Sequence, residues 1–90
     1  MAWYRDHCDG DWEHRYGIEI GTLDNPGWRL AVDLTDTELE GRTLNRIVKE
    51  TSETDWIQQW CDGLKFEAAC GPLNLGEAIE AFCVFINRPA

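Results

Sequence analysis

Residues 16–34 read YGIEIGTLDNPGWRLAVDL, and this stretch decides the fold. Apolar side chains alternate with small or charged ones over residues 16–21 and again over 28–34. Alternation with a period of two is typical of a strand that buries one face. The turn-forming string DNPG at 24–27 separates the two runs. The stretch therefore predicts two antiparallel strands joined by a tight turn.

The register of this hairpin follows from the requirement that both apolar rows lie on one face. Paired residue numbers must then have an even sum, because a shift of one residue turns a side chain to the other face. We expect a sum of 52, which pairs Ile20 with Val32 and Ile18 with Leu34. That register implies a three-residue connection or a bulge, with Gly27 at positive φ. A two-residue Pro-Gly turn is excluded.

The second half of the chain predicts more strands. Residues 43–49 are predicted to form a strand, although their apolar residues do not alternate regularly. Residues 56–61 and 64–68 are predicted to form a hairpin because they flank Asp62-Gly63, a dipeptide that favours hairpin turns. Trp56 and Trp60 then lie on one face of this hairpin. The other face carries Ile57, Gln59, Cys61, Leu64, Phe66 and Ala68.

A C-terminal amphipathic helix completes the pattern. Asn74 with Glu77 is close to a capping box, and Pro89 ends the helical spacing. One apolar stripe consists of Leu75, Ala78, Ile79, Phe82 and Ile86.

Together the elements predict a single α+β domain over residues 1–90. It consists of an antiparallel sheet of about four to five strands packed against the C-terminal helix. Residues 2–8 predict a short N-terminal helical segment, and residues 8–11 predict a turn.

The composition excludes several classes of partner. Seventeen acidic against eight basic residues give a net charge of −9, whereas nucleic acids and anionic membranes attract Lys and Arg. We therefore expect neither partner, and we expect a monomer or a weak homodimer. The four cysteines contain no C-x-x-C pair, and no signal-peptide pattern opens the chain. We expect reduced thiols and a cytoplasmic location.

The acidic residues are concentrated in the first half of the chain. Residues 1–41 hold ten acids and three bases, a net charge of −7, whereas residues 42–90 hold seven acids and five bases, a net charge of −2. One cluster precedes the first strand and the other follows the second strand, so an antiparallel pairing brings both to one rim of the sheet. The clusters are Asp9, Asp11 and Glu13, and Asp33, Asp36, Glu38 and Glu40.

This rim has two interpretations. A concentrated negative surface speeds the encounter with a basic partner and competes for phosphate-binding sites. It also serves simply to keep a small protein soluble. Tryptophans are candidate anchors for the first interpretation. Trp12 lies within the first cluster, Trp28 fits the core, and Trp56 and Trp60 lie either under the N-terminal segment or exposed.

The segment from Cys8 to His14 contains several metal-ligating residue types, but it lacks the spacing of a zinc or EF-hand site. We predict no metal and no cofactor. Catalysis by Cys8 with His14, or by Asp11 with Glu13, is disfavoured because no phosphate loop or nucleophile elbow is present. We predict that the chain is not an enzyme. The alternative function is a small ligand- or metal-binding domain that uses this segment.

Several ordered strings resemble the immunity protein 53 family of bacterial polymorphic toxin systems. The strongest are CDGDWEH at 8–14, YGI at 16–18, TLDNPGW at 22–28 and TELEG at 37–41. Weaker similarity continues through DWI at 55–57, KFE at 65–67 and GP at 71–72.

This resemblance implies a cytoplasmic immunity protein that binds and neutralises a cognate toxin domain. We hypothesise that the acidic rim contacts a basic toxin of the nuclease type. The predicted partner-binding residues are Asp9, Asp11, Trp12, Glu13, Asp33, Asp36, Glu38 and Glu40.

Overall fold

A computed structural model describes residues 2–24 and 26–87, and these form an α+β fold as predicted. The strands of this part of the chain form one antiparallel sheet in the order β1-β2-β5-β4-β3. None of its helices is long and apolar enough to cross a membrane. The elements in chain order are α1 (Ala2–His7), α2 (Trp12–Arg15), β1 (Ile18–Leu23), β2 (Gly27–Asp33), β3 (Thr43–Glu50), β4 (Trp56–Asp62), β5 (Lys65–Cys70) and α3 (Leu75–Ile86).

The β1–β2 hairpin keeps both apolar rows on one face, but the predicted register is wrong. Ile18 pairs with Val32 and Ile20 pairs with Leu30, so the paired numbers sum to 50. The reason is that Gly27 already belongs to β2, where it pairs with the last residue of β1. The last pair of the hairpin is therefore Leu23 with Gly27, and each β1 residue pairs two residues earlier along β2 than predicted.

Gly27 has a role other than the predicted one. Its φ is not positive, in contrast to Gly10, Gly17, Gly41 and Gly63. A Cβ at position 27 would collide with the carbonyl oxygen of Cys70 on the neighbouring strand β5. Glycine is required here for the close approach of two backbones.

The β4–β5 hairpin also pairs differently from the prediction. Cys61 lies opposite Phe66, and the turn consists of Gly63 and Leu64. The carboxylate of Asp62 fixes this turn because it accepts hydrogen bonds from the amides of Leu64 and Lys65, both at 2.9 Å. Leu64 was expected on the face with Phe66, but it is exposed in the turn.

One face of the sheet is covered by α3, and we call it the covered face. The rings of Phe82 and Phe85 lie 5.2 and 5.0 Å from that of Phe66, and all three are buried. Phe85 was missing from the predicted stripe. Trp3 packs edge-on against Phe82 at 5.1 Å, so α1 extends the cover. The N-terminal segment therefore lies on this side of the sheet.

The opposite face, which we call the open face, carries Trp56 and Trp60. Both are half-buried, and the Arg46 guanidinium lies over the Trp60 ring at 4.3 Å. Of the two placements considered for this pair, the structure excludes burial under the N-terminal segment. Trp28 packs on the core as predicted, and its Nε1 donates a hydrogen bond to the Pro72 carbonyl at 3.1 Å.

The start of α3 departs from a capping box. The side chain of Asn74 makes no capping hydrogen bond to the helix backbone. Its Nδ2 donates instead to Asp55 Oδ1 at 2.9 Å and to Glu77 Oε1 at 3.0 Å. Asn74 therefore ties α3 to the loop before β4. Pro89, the predicted end of the helical pattern, lies outside the described residues.

Candidate functional site

Members of both acidic clusters line a cleft of about 290 Å³ between the N-terminal helices and the loop that joins β2 to β3. We call it the acidic cleft. It brings together Asp9, Asp11 and Trp12 of the first cluster with Asp36 of the second. Its lining residues are Asp6, His7, Asp9, Asp11, Trp12, Arg15, Tyr16 and Asp36.

Asp9 is positioned by the turn before α2. Its Oδ1 accepts hydrogen bonds from the amides of Asp11 at 2.9 Å and Trp12 at 3.0 Å. The hydrogen bonds from Trp12 and Asp11 hold the pKa of the Asp9 carboxyl below its ordinary value. Asp9 is therefore negatively charged at neutral pH and fixed at the mouth of the cleft.

Glu13 closes the same turn and does not line the cleft. Its carboxylate accepts hydrogen bonds from the amide of Gly10 at 2.8 and 2.9 Å and from that of Asp9 at 2.9 Å. The Glu13 amide, followed by those of Gly10 and Asp9, lowers the pKa of the Glu13 carboxyl. Gly10 has a φ of +93°, which favours glycine at this tight position.

Glu38 belongs to a connection that we call the latch, formed by Trp3, His7 and Glu38. Its Oε1 accepts a hydrogen bond from Trp3 Nε1 at 2.9 Å, and its Oε2 lies 2.7 Å from His7 Nε2. His7 Nδ1 lies 2.7 Å from the Trp3 carbonyl oxygen. Both ring nitrogens of His7 thus face acceptors, and only the imidazolium form donates to both.

The latch shifts the titration of its two ionisable groups. Burial lowers the pKa of His7, but the hydrogen bonds to the Trp3 carbonyl and the Glu38 carboxylate outweigh it, and the pKa is raised above 6.5. Burial raises the pKa of Glu38, but hydrogen bonds from its own amide, Trp3 and His7 lower it below 4.5. The latch therefore ties α1 to the β2–β3 loop through a charge-assisted contact.

Trp12 forms a wall of the cleft. Its side chain is buried, and its Nε1 donates a hydrogen bond to the Thr35 carbonyl at 3.1 Å. The ring lies edge-on to Trp3, with centroids 5.5 Å apart. Trp12 therefore joins α2 to both α1 and the β2–β3 loop. Its direct contact with a partner stays a prediction.

The remaining acids of the second cluster occupy different places. Asp36 has a φ of +64°, and its amide donates to Glu40 Oε1 at 3.0 Å, so Glu40 supports the loop from outside the cleft. Asp33 lines a separate shallow pocket with Arg15 and Lys65. Asp33 Oδ1 also accepts from the Thr35 amide at 2.9 Å. Position and hydrogen bonding thus distinguish acids that the sequence presents alike.

Sequence reasoning missed four residues that line the cleft, namely Asp6, His7, Arg15 and Tyr16. Asp6 lies three residues before Asp9, and this proximity to the first acidic cluster was the signal by which the sequence could have indicated it. With Asp6, four carboxylates surround the cleft against the guanidinium of Arg15 and the imidazole of His7. The cleft is thus acidic but also contains a guanidinium and an imidazole.

Within residues 2–24 and 26–87, no group of three or more His, Cys, Asp or Glu side chains is arranged to hold a metal ion. The four cysteines are all free thiols. Cys8, in the segment of the alternative hypothesis, is exposed, and its Sγ donates to the Tyr4 carbonyl at 3.2 Å.

A comparison with protein families supports the family resemblance noted in the sequence. No curated protein and no solved structure matches the chain. A family model described as immunity protein 53 matches residues 1–87 of the 90 residues. The match covers every described element, from α1 to α3. The chain therefore belongs to the immunity protein 53 family.

Proposed function

We propose that this chain is a cytoplasmic immunity protein that binds a cognate toxin domain and neutralises it through the acidic cleft. The observation that carries the proposal is the convergence of Asp6, Asp9, Asp11 and Asp36 on one cleft. Membership of the immunity protein 53 family supports a toxin as the partner. Neutralisation is stoichiometric and requires no catalytic step by the chain itself.

The charge of the chain supports a basic toxin. A net charge of −9 on 90 residues produces a field that attracts a cationic partner, and a concentrated cluster raises the rate of encounter. Nucleases hold phosphate groups in basic sites, and carboxylates compete for such sites. We therefore propose a nuclease-type toxin whose basic surface docks on the cleft.

The internal bonds of the cleft support tight binding. Asp9 is held by two backbone amides, and the loop that carries Asp36 is supported by Glu40. Groups already fixed in position lose less conformational entropy when a partner binds. The hydrogen bonds of Glu13 and the latch thus contribute to binding by holding the lining residues in place.

The direct test compares toxin binding at two salt concentrations. The double variant Asp11→Asn, Asp36→Asn removes two charges from the cleft and leaves the loop bonds of Asp9 and Glu13 intact. We expect the Kd for the cognate toxin domain to rise about tenfold or more, with a weaker dependence on salt. Isothermal titration calorimetry measures both quantities.

The matched control is the double variant Asp24→Asn, Glu53→Gln, which removes two exposed charges away from the cleft. Its Kd is expected to stay close to that of the wild type. Equal affinity and equal salt dependence of the cleft variant and the wild type contradict the proposal. Co-expression adds a cellular measurement, because the wild-type chain is expected to restore growth of cells that make the toxin.

A further inference from the structure

The two edge strands of the sheet differ in how they are protected against pairing with another strand. On β3, the exposed side chains of Arg46, Lys49 and Glu50 carry charge, and the register shifts between Leu44 and Ile47. Charged side chains and bulges are the usual means by which an edge strand avoids pairing with another chain. The β3 edge is therefore protected.

The β1 edge has no bulge and carries fewer charges than the β3 edge. Its pairing with β2 runs without a shift from Ile18 to Leu23. Glu19 is the one charged residue among its six, and none is proline. Ile20 is 48% exposed. An edge of this kind is suited to receive an additional strand.

The backbone groups that face outward on β1 follow from its pairing. The Asp33 amide donates to the Gly17 carbonyl at 3.0 Å, which makes these two residues a hydrogen-bonded pair. Bonding alternates along an antiparallel pair, so every second residue from Gly17 bonds to β2. The amides and carbonyls of Ile18, Ile20 and Thr22 consequently point away from the sheet.

The position of β1 links this edge to the acidic cleft. Arg15 and Tyr16 line the cleft, and β1 begins at Ile18, two residues later. An extended segment paired along β1 therefore has one end beside Ile18, two residues from the cleft-lining Tyr16. We infer that β1 accepts an extended segment of the toxin as a sixth strand, with a basic toxin side chain in the acidic cleft. This inference rests on the proposed function.

Charge favours the toxin over a second copy of this chain as the occupant of the β1 edge. Two copies each carry a net charge of −9 and repel one another, whereas a basic segment is attracted. The main-chain bonds of β1 supply affinity without a sequence requirement. The cleft at one end of β1 sets the register of the toxin segment, because the basic side chain must lie among its carboxylates.

Amide hydrogen exchange tests the inference on the wild-type protein. In the free chain, the outward amides of Ile18, Ile20 and Thr22 are expected to exchange rapidly. In the complex with the cognate toxin domain, we expect their exchange to slow by roughly 100-fold or more. Rapid exchange of all three amides in a saturated complex overturns the inference, while the proposed function stands because the complex has formed.

A pair of variants at one position isolates the main-chain donor. Ile20→Pro removes an outward amide, and proline is tolerated on an edge strand when that amide faces solvent. Ile20→Ala removes the side chain and keeps the amide. We expect the proline variant to bind the toxin at least about tenfold more weakly than the alanine variant.

The outcomes separate the two ideas. Equal affinity of the Ile20 variants overturns the strand inference, and the cleft variants then decide the proposed function independently. Failure of the wild type to bind the toxin overturns both. A dimer of the free chain that the proline variant abolishes also overturns the inference, because β1 is then occupied by a second copy.

Discussion

The covered face and the open face of the sheet are made by alternate residues of the same strands, yet they differ sharply. On the covered face, Phe66 is buried in contact with Phe82 and Phe85 of α3. On the open face, Trp60 is only half-buried and is shielded by Arg46. In β4 the alternation places apolar side chains on both faces, Ile57 and Cys61 on one and Trp56 and Trp60 on the other, and the position of α3 decides which of the two becomes core. Most of the stability is therefore expected on the side that carries the helices.

The largest effect is expected in the centre of the covered face. Phe82→Ala leaves a cavity among Phe66, Phe85 and Trp3, and we expect a loss of about 3–5 kcal/mol in the free energy of unfolding. Urea unfolding measures this change. Val84→Ala on the same helix, where the side chain is 59% exposed, is the control and is expected to cost less than about 0.5 kcal/mol. A loss below about 1 kcal/mol for Phe82→Ala would show that the covered face is not the main source of stability.

The second effect concerns the close backbone contact between Gly27 on β2 and Cys70 on β5. In Gly27→Ala, the new Cβ meets the Cys70 carbonyl, so β2 and β5 must separate slightly, and we expect a loss of about 1–3 kcal/mol. Gly21→Ala on β1 meets open space and is expected to stay within about 0.5 kcal/mol of the wild type. Thermal unfolding of both variants tests the difference. Equal melting temperatures contradict the assigned role of Gly27.

The third effect is a pH dependence of stability at the latch, which attaches α1 to the β2–β3 loop. The raised pKa of His7 makes its contribution complete below pH 6.5 and lost as the pH rises through the folded-state value. The lowered pKa of Glu38 makes its contribution complete above pH 4.5 and lost as the pH falls through the folded-state value. The latch is therefore strongest between these two pH values.

Glu38→Gln tests this window. It removes the charge that His7 faces, and we expect a loss of about 1 kcal/mol at pH 5.5 and a smaller loss at pH 8, since Glu38 is partly exposed. Urea unfolding across this pH range measures the effect. Glu53→Gln, at an exposed acid in the loop before β4, is the control. A loss that does not vary with pH would mean that the latch acts through packing alone.

The smallest effect is expected on the open face. Arg46→Ala removes the contact with Trp60 and the hydrogen bond to Gln58 at 3.1 Å, and we expect a loss of about 0.5 kcal/mol. Arg5→Ala, which removes an exposed ion pair with Asp6, provides a reference near zero. Urea unfolding again gives the values. A loss above about 1.5 kcal/mol for Arg46→Ala would mean that the open face contributes to stability as a core does.

The fold was predictable because it depends on periodicity and turn residues. The alternation in residues 16–34 indicated the first hairpin, and its parity placed Ile18 and Val32 on one face. The exact registers were not predictable, because they depend on contacts distant in sequence. Gly27 joins β2 since β5 approaches it closely, and Asp62 extends β4 by binding the amides of its own turn.

The acidic cleft was predictable only in part. The hairpin indicated that acids thirty residues apart lie at one end of the sheet, and Asp9 and Asp36 do line one cleft. The sequence does not show that Glu13 and Glu38 lie outside the cleft lining, where their carboxylates accept hydrogen bonds in the turn and in the latch. Such bonds depend on where a neighbouring amide or indole points, which no spacing pattern encodes.

The amino-acid sequence by itself determined the class of the fold, the apolar rows, the excess of negative charge and the family. These properties depend on residue type and order along one chain. Only the tertiary structure decided which apolar row is buried, which carboxylates line the cleft and which edge of the sheet is less protected. The physical reason is that burial, hydrogen bonding and strand pairing are properties of neighbours in space, and α3, the latch and β5 supply those neighbours from distant parts of the chain.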